Sequence, residues 1–404
     1  MIIIYIILAI ILMYIFFMAY IKIRYHFWST QPVFHYYNIV YRIRPPGKIS
    51  NSIGPINRYT NIIDIKTYNV SELDDSKIQY ICGFIKNFCL RTSTLNFLPE
   101  NNNIVPYLRD SGENGYVSIY YDSSPYAEKG DNYKGLVCGR KLCVVFNEGP
   151  IFPIYYMDNL CIYPGYKKKD IFPKLIQNHC NNLRKNRKNI GTILFKHDGP
   201  KHIIIPLTSF LTTGYLINDI PLLTIPHGSF KVIELTCDNV NLLKTFIDEN
   251  SNRFKCLIYP EMAEIFHFIR TENIFIYGVL HKDNLVAAYF FRKSMIKYTP
   301  NNIRGENKIL ERNKEGLSNV ITNFASLGDI YYNNIFLTGF SVALHMCNKS
   351  QKSKYVFIDG VSSNVDIIES FGVNITVRYS QQSSFIFYNY STKKLPAEKC
   401  LIIY

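Results

Sequence analysis

The turn before one amphipathic stretch holds the most concentrated set of residues that could bind a phosphate. Tyr163-Pro164-Gly165-Tyr166-Lys167-Lys168-Lys169-Asp170 follows an apolar segment, and residues 171–185 then place apolar side chains on one face at helical spacing. Backbone N–H groups at a helix N-terminus bind phosphate, and adjacent lysines strengthen such a site. The pattern predicts a phosphate-binding turn at Lys167, Lys168 and Lys169. The alternative is a lysine-rich turn that is only solvated.

A second unusual string lies near the start of the chain. Residues 25–33 are Y-H-F-W-S-T-Q-P-V, and Trp28 is the single tryptophan of the sequence. The string follows directly after a long apolar run. Four consecutive ring-bearing residues, followed by T-Q-P-V, are too unusual for a generic helix or strand.

Other residues that could do chemistry form weaker patterns. The ten cysteines include no C-x-x-C pair and no zinc-finger spacing, so we predict reduced, buried thiols and no metal site. His197, His281 and His345 could act as general bases. None of the three has an Asp or Cys partner nearby in the sequence that would support this role, which favours structural histidines.

Composition and charge limit the class of protein. The chain has 404 residues, of which 48% are hydrophobic and 15% aromatic, as expected of a folded protein with one large core or two lobes. Its net charge of +14 would suit nucleic acid, an anionic membrane or a phosphate-bearing ligand. Because no long basic run contains interleaved aromatics, we predict no nucleic-acid partner. A solvated basic surface is the alternative explanation.

The N-terminus has the pattern of a membrane anchor. Residues 1–21 contain no charge and are almost wholly apolar, and about 20 such residues span a bilayer. Lys22, Arg24 and His26 follow at once, which predicts a single-pass membrane protein whose remaining chain is cytoplasmic. A cleaved signal peptide is the alternative, although the sequence has no basic segment before the run and only Met18-Ala19-Tyr20 as a weak cleavage site.

The remaining chain predicts a mixed α/β fold. Its first half contains a helix within residues 71–90, strands at 136–146 and 154–162, and a helix at 170–185. Residues 99–134 are rich in Asn, Asp, Ser, Gly and Pro, and we expect them to leave the core.

A second α/β series follows in a similar order, which is expected of a duplicated fold, although no sequence repeat is detectable. It begins with a helix at 254–270, which is shortened to the residues after 261 if Pro260 limits it. A hairpin turn at 282–284 follows between strands 274–280 and 286–293. The remaining elements are a helix at 334–347, a strand at 355–358, a loop and helix at 361–372, and final strands at 384–390 and 399–404.

Several strings, in a fixed order, resemble protein N-myristoyltransferases. Residues 25–33 resemble the family's Y-x-F-W-x-T-Q-P-V, and residues 160–176 resemble L-C-V-H-K-K-L-R-S-K-R-L-A-P-V-L-I without a gap. Residues 283–285 and the following strand resemble G-K-L-T-D-F-x-S-F-Y. Residues 387–390 and 396–399 resemble Y-L-Y-N-W and A-E-K-V-G-L-V-L. The shared order makes the resemblance specific, and it covers most of the chain.

The resemblance implies an acyltransferase of GNAT-like fold, and we expect two lobes, at 22–225 and 226–404, after the membrane anchor predicted at 1–21. Myristoyl-CoA would be the co-substrate, without a permanently bound cofactor, and the acceptor would be the N-terminal glycine amine of a protein. The enzyme would be a monomer. The residues implied to bind acyl-CoA are Tyr25, His26, Phe27, Trp28, Lys167, Lys168, Lys169, Ile171, Phe172 and Pro173.

The resemblance also implies the catalytic groups. Asn159 and Leu160 occupy the position of the family's F-L pair, whose backbone N–H groups bind the thioester oxygen. The amine would attack the thioester directly, with the C-terminal carboxylate, here that of Tyr404, as its base. The tail is one residue shorter than in the family, and one residue of strand is about 3.3 Å. A bulge would have to restore the position of the carboxylate.

The departures from the family concern the acceptor side. Leu90-Arg91-Thr92-Ser93 replaces an acidic stretch, Phe195-Lys196-His197-Asp198 replaces Y-T-A-G, and Thr213-Gly214-Tyr215 replaces R-Y-W-H. The family's D-L-M aspartate aligns with Val361, or with Asp359 after a two-residue slip.

Three functions therefore remain open from the sequence. The first is myristoylation of glycine in an unusual sequence context. The second is a GNAT-fold acyltransferase with another acyl chain or amine. The third is a non-catalytic membrane protein that binds acyl-CoA or a peptide. A deep acyl slot would favour the first over the second, and a Tyr404 carboxylate far from the thioester would mark the third.

Overall fold

A mixed β-sheet organises the molecule. The computed structural model describes residues 2–109, 115–123, 132–147, 149–186, 189–199, 203–225, 229–300 and 317–404. The helices are α1 (Ile2–Arg24), α2 (His26–Thr30), α3 (Ile39–Ile43), α4 (Asp75–Phe88), α5 (Asn101–Leu108), α6 (Lys168–Asn186), α7 (Asn241–Asn250), α8 (Met262–Arg270), α9 (Asn333–Gln351) and α10 (Asn364–Phe371). The strands are β1 (Gly47–Lys48), β2 (Ile65–Asn69), β3 (Leu95–Phe97), β4 (Tyr116–Tyr121), β5 (Tyr133–Phe146), β6 (Phe152–Ile162), β7 (Ile193–Asp198), β8 (Thr208–Leu216), β9 (Phe230–Leu235), β10 (Cys256–Tyr259), β11 (Ile274–His281), β12 (Asn284–Tyr298), β13 (Ser318–Gly328), β14 (Tyr355–Asp359), β15 (Val377–Tyr388), β16 (Tyr390–Ser391) and β17 (Cys400–Ile402).

The sheet order confirms the predicted mixed α/β class. The strands follow β17-β10-β5-β6-β7-β15-β8-β14-β13-β12-β11-β9, and β2, β3 and β4 pair beside this path. Most pairs are antiparallel, but β10–β17, β6–β7 and β13–β14 are parallel. Strands of the two predicted lobes interleave, since β15 of the second lobe lies between β7 and β8 of the first. The lobe boundary at residues 225 and 226 stays a prediction.

The segment from β6 to α6 forms as the sequence predicts. α6 begins at Lys168, directly after the basic turn, and buries Ile171, Leu175, Cys180 and Leu183 along one face. These side chains pack on the sheet in one cluster with residues of β5, β6 and β7. Burying four apolar side chains of this size stabilises the fold by about 6 to 12 kcal/mol before entropy is subtracted.

The predicted hairpin is also confirmed. His281 pairs with Asn284, so Lys282 and Asp283 form a two-residue loop between β11 and β12. Both loop residues have positive φ, at 48° and 68°. Two consecutive positive φ values are typical of the type I′ turn, whose twist matches that of the flanking strands.

One expectation for regular structure was wrong. Residues 99–134 do not simply leave the core, because α5 and the buried strand β4 belong to it; positions 110–114 and 124–131 lie outside the described residues. Side chains on both faces of β4 are buried, which removes the polar alternation that marks a half-exposed strand. Within residues 254–270, β10 ends at Tyr259 and α8 begins at Met262, so the expectation that Pro260 limits the helix to the residues after 261 is confirmed.

Helix α1 stands apart from the cores. Its 23 residues are long and apolar enough to cross a bilayer, and its side chains are exposed apart from the buried Ile21 and the partly covered Met18. A signal sequence of the same composition would have this property too. Ile21 packs into the same cluster as α6, so the C-terminal end of α1 contacts the folded domain.

Candidate active site

Strand β6 separates two clusters of side chains, because successive residues of a strand point to opposite faces. Tyr155 and Met157 belong to the cluster that contains the buried face of α6, called here the α6-side cluster. Ile154 and Tyr156 belong to the cluster that contains Tyr404, called here the Tyr404-side cluster. The predicted site residues are distributed over these two faces.

The structure brings half of the ten residues implied to bind acyl-CoA, together with Leu160, into the α6-side cluster. Phe27 and Ile171 are buried in it, and Tyr25, Trp28, Leu160 and Phe172 pack against it. The rings of Phe27 and Trp28 lie 4.8 Å apart, and Trp28 stacks on Phe195 of β7 at 5.7 Å. The start of the chain and the start of α6, about 140 residues apart in sequence, thus share one apolar surface.

The T-Q-P-V part of the aromatic string fixes α2 in this place. Thr30 Oγ1 donates to Phe27 O at 2.7 Å, which closes the end of α2. Gln31 Nε2 donates to Gln177 Oε1 of α6 at 2.9 Å, and Tyr388 Oη donates to Gln31 Oε1 at 3.1 Å. Since Gln31 is buried, these bonds connect α2 to both α6 and β15.

His26 and the three lysines lie at the rim of this surface. The Nδ1 atom of His26 shares a 2.9 Å hydrogen bond with the Tyr59 hydroxyl. Lys167, Lys168 and Lys169 are exposed at the N-terminal end of α6, where backbone N–H groups lack helical partners. Pro173 lies inside α6 and is half-buried.

Asn159 and Leu160 form a β-bulge in β6. Leu136 pairs with Cys161 and Cys138 pairs with Asp158, so both residues face the single residue Val137. Asn159 has a φ of 51°, a conformation that asparagine tolerates better than most residues. Its N–H donates to Asp158 Oδ1 at 2.8 Å. A bulge of this kind removes backbone groups from the strand ladder and can direct them at a ligand.

On the opposite face, the last residue of this chain is buried. β17 pairs in parallel with β10, and Ile403 N–H donates to Ile258 O at 2.8 Å. Tyr404 is 5% exposed, and its ring centroid lies 5.3 Å from that of Tyr156. Tyr156 precedes the bulge residue Asn159 by three positions, or about 10 Å of strand.

A buried polar network holds the Tyr404 side chain. Its hydroxyl donates to Asp359 Oδ2 at 3.0 Å. Lys196 Nζ lies 2.9 Å from the same oxygen and 3.2 Å from the Tyr404 hydroxyl, and Thr212 Oγ1 donates to Asp359 Oδ1 at 2.5 Å. Burial and the nearby Asp359 charge raise the pKa of Tyr404 to about 12, so its phenol stays a donor. Burial opposes the charge of Lys196, but Asp359 and its neighbours raise the pKa of Lys196 above its usual value.

Two arginines that the sequence analysis missed adjoin this network. Arg140 of β5 lies opposite Tyr156 in the sheet, and its guanidinium carbon is 5.3 Å from that ring. The guanidinium carbon of Arg292, on β12, is 4.5 Å from the Tyr404 ring. Each arginine interrupts a nearly apolar strand segment, and this was the signal available in the sequence.

The remaining candidates lie in other surroundings. Leu90-Arg91-Thr92-Ser93 is an exposed turn after α4, and Thr213-Gly214-Tyr215 is in the buried strand β8. His345 bonds to the carbonyl of Ile220, and His281 shares a hydrogen bond with Tyr332. Of the two alignments for the aspartate, the one with Asp359 puts a carboxylate beside Tyr404.

Comparison with known proteins shows the fold. No protein-family profile and no curated protein sequence matches the chain. Among solved structures, Saccharomyces cerevisiae N-myristoyltransferase with bound myristoyl-CoA is similar, with a TM-score of 0.68 at 12% identity over 92% of this chain and 94% of that one. A structure of the yeast enzyme with bound myristoyl-CoA and inhibitors gives 0.67 at 12% identity, over 92% and 91% of the two chains. At this identity the similarity establishes the fold of the chain.

Proposed function

We propose that this protein is a membrane-tethered acyltransferase that moves a myristoyl group from myristoyl-CoA to the N-terminal glycine amine of acceptor proteins. The observation that carries the proposal is the arrangement of the two faces of β6. The α6-side cluster gathers the residues of three separate motifs, at 25–28, 160 and 171–172. Tyr404 lies across the same strand, and the bulge at Asn159 and Leu160 lies between them.

The α6-side cluster would bind the donor. Phe27, Trp28, Ile171 and Phe172 offer apolar surface to the acyl-CoA, with Tyr25, His26 and Pro173 beside them. The CoA phosphates would bind at the start of α6, where free backbone N–H groups and the exposed lysines 167–169 combine. The bound myristoyl-CoA of the yeast structures, which share this fold, supports this choice of donor.

The bulge would stabilise the charge that develops in the reaction. The acceptor amine attacks the thioester carbon, a C–N bond forms, and the carbonyl oxygen becomes negative. The backbone N–H of Leu160 would face that oxygen, and the N–H of Asn159 would join it by exchanging its acceptor Asp158 Oδ1 for the oxyanion; a backbone donor does not depend on the side chain. Collapse then breaks the C–S bond, and CoA leaves as a thiolate that takes up the second proton, which the nitrogen loses as the amide forms.

Tyr404 would supply the base. Its terminal carboxylate accepts the proton that the glycine amine must lose before it attacks. Its hydroxyl donates to Asp359 and accepts from Lys196, and these two hydrogen bonds would fix the position of the residue. The two lobes at 22–225 and 226–404 would then contribute the donor side and most of the acceptor side.

Helix α1 would hold the domain at a membrane. Basic residues at the end of α1, Lys22 and Arg24, favour a cytoplasmic domain. With α2 following α1 almost directly, the acyl-CoA surface would lie close to the bilayer. In sealed membrane vesicles containing the full chain, protease added on the cytoplasmic side should digest the domain. Protection of the domain would contradict this topology.

The direct test of the activity uses the full chain in detergent with labelled acetyl-, octanoyl-, myristoyl- and palmitoyl-CoA and a library of peptides with N-terminal glycine. We expect transfer of the myristoyl group to a subset of these peptides. Tight binding of myristoyl-CoA without transfer to any glycine peptide would overturn the proposed activity and favour a binding protein. Transfer of acetyl alone would favour a GNAT-type acyltransferase with a filled acyl slot.

A further inference from the structure

Two arginines beside Tyr404 carry buried hydrogen-bond donors that find no acceptor in the part of the chain that the structure describes. Arg140 is 5% exposed, and Arg292 is partly buried. In both side chains the Nε and Nη2 atoms have no hydrogen-bond partner among the described residues. One ring, that of Tyr107, lies 5.3 Å from the Arg140 guanidinium carbon and 5.6 Å from that of Arg292, so the two charges are neighbours. Buried donors without acceptors are rare and call for a ligand.

The nearest acidic side chains do not neutralise this pair. Asp158 interacts with both arginines only through space, because none of the salt bridges between described residues includes it, and its Oδ1 already accepts the N–H of Asn159. Asp359 is occupied by Lys196, Thr212 and Tyr404. Burial, and then the charge of Arg292, lowers the pKa of Arg140. Burial opposes the charge of Arg292 too, but Tyr107 and Tyr404 raise the pKa of Arg292, so the Arg140 charge is the one left without compensation until an anion enters.

The position of the pair indicates which molecule brings the anion. Arg140 shares the face of Tyr156, across β6 from the α6-side cluster and from the lysines expected to hold CoA phosphates. The terminal carboxylate of Tyr404 is the other candidate. Two arginines bound to it would lower its pKa and weaken it as a base, which argues against this use. The remaining source of an anion for the two arginines is the acceptor.

We propose that Arg140 and Arg292 bind an anionic side chain of the acceptor close to its N-terminal glycine, an inference that rests on the proposed function. Guanidinium groups match carboxylate and phosphate oxygens with paired N–H donors. Because Arg292 contacts the Tyr404 ring, and the glycine amine must reach the terminal carboxylate, the anionic group lies within roughly three residues of that amine. The acceptors are therefore acidic near their N-terminus.

The test compares matched peptides. Each peptide begins with glycine and carries glutamate, phosphoserine or glutamine at one of the next few positions. We measure kcat/KM for myristoyl transfer by the full chain, the variants Arg140→Gln and Arg292→Gln, and the control Arg270→Gln. Arg270 is an exposed arginine at the end of α8, so its variant loses the same charge outside the cluster.

We expect the best anionic peptide to exceed its glutamine match by about tenfold or more, since a charge-assisted hydrogen bond supplies that much discrimination. Arg140→Gln and Arg292→Gln should remove this preference, while Arg270→Gln keeps it and the KM for myristoyl-CoA stays unchanged. The relative rates of the glutamate and phosphoserine peptides tell which anion the site takes.

Other outcomes overturn the inference without touching the proposed function. These are transfer with no anionic preference, a preference that survives in both variants, or an equal loss of kcat with every peptide, which would assign the arginines to the terminal carboxylate.

If no peptide is acylated, the proposed function fails, and binding of a fluorescent glutamate peptide decides the inference. Binding that is lost in Arg140→Gln and Arg292→Gln supports it, and equal binding by all variants overturns it. Thermal unfolding checks folding, and removal of an unpaired buried charge should leave Tm near or above that of the wild type.

Discussion

The hydroxyl of Tyr404 donates a 3.0 Å hydrogen bond to the fully buried carboxylate of Asp359. Lys196 neutralises the same carboxylate at 2.9 Å. The last residue of the chain is therefore held by its side chain in addition to the pairing of β17 with β10. In the proposed reaction this side-chain contact is what positions the base.

Tyr404→Phe should weaken this anchor without emptying the core, because the ring stays and only the hydroxyl is lost. We expect a loss of about 1 to 2 kcal/mol in the free energy of unfolding, since Asp359 loses one buried donor. Myristoyl transfer should slow, while myristoyl-CoA binding stays unchanged. Denaturant unfolding and single-turnover transfer measure the two effects. The control is Tyr331→Phe, which removes the hydroxyl of an exposed tyrosine. Unchanged unfolding and transfer would show that the hydrogen bond has no positioning role.

Replacing Lys167, Lys168 and Lys169 together by glutamine should weaken myristoyl-CoA binding by about tenfold at low salt, because three charges near the phosphates are lost. The difference should shrink as salt is added. The matched control replaces the exposed lysines 349, 393 and 394, which removes the same charge elsewhere. Equal affinities for the two triple variants in a titration would contradict a phosphate site at the start of α6.

Asn159 allows a test of the bulge that does not change the chemistry of the backbone. Asn159→Gly should keep the φ of 51° and retain transfer. Asn159→Val should disfavour that conformation at a cost of about 1 to 2 kcal/mol and reduce transfer, because the N–H groups are displaced. Rates and unfolding free energies of both variants give the comparison. Equal transfer by the glycine and valine variants would contradict the oxyanion role of the bulge.

Stability should fall in mild acid because of His179 in α6. Its ring is fully buried, Nδ1 shares a 2.8 Å hydrogen bond with Ser118, and burial lowers its pKa from 6.5 to about 3. Above pH 6.5 both the folded and the unfolded state leave it neutral, so its contribution is complete. Below 6.5 the unfolded state binds a proton that the folded state rejects, and stability falls by up to about 1.4 kcal/mol per pH unit toward pH 3. Denaturant unfolding from pH 7 to 4 should show this slope reduced in His179→Gln, and an identical slope would contradict the assignment.

The local elements could be predicted from the sequence where the pattern is contained in one segment. The periodic apolar face from Ile171 to Leu183 defines α6, and the polar pair Lys282 and Asp283 marks the hairpin. The aromatic string was recognised only by resemblance, and its packing on α6 depends on Gln31 and Gln177, which are far apart in sequence.

The acceptor side was predicted less well, because it depends on the order of strands. Arg140 and Arg292 are neighbours only because β5 and β12 both adjoin the Tyr404-side cluster. The choice between Val361 and Asp359 is a question of register at the end of β14, which no local pattern fixes. Strand β4 was missed for the related reason that its two faces are both buried.

The central claim is that the terminal carboxylate of Tyr404 is the base of a myristoyl transfer. The most direct measurement is myristoyl transfer to glycine peptides by the full chain and by a variant with one glycine added after Tyr404, together with the affinity of each for myristoyl-CoA. The added residue moves the carboxylate by about 3.3 Å but keeps the Tyr404 side chain. We predict that transfer falls by at least about a hundredfold, the scale of a lost general base, while myristoyl-CoA affinity is unchanged. Full transfer by the extended chain would contradict the account.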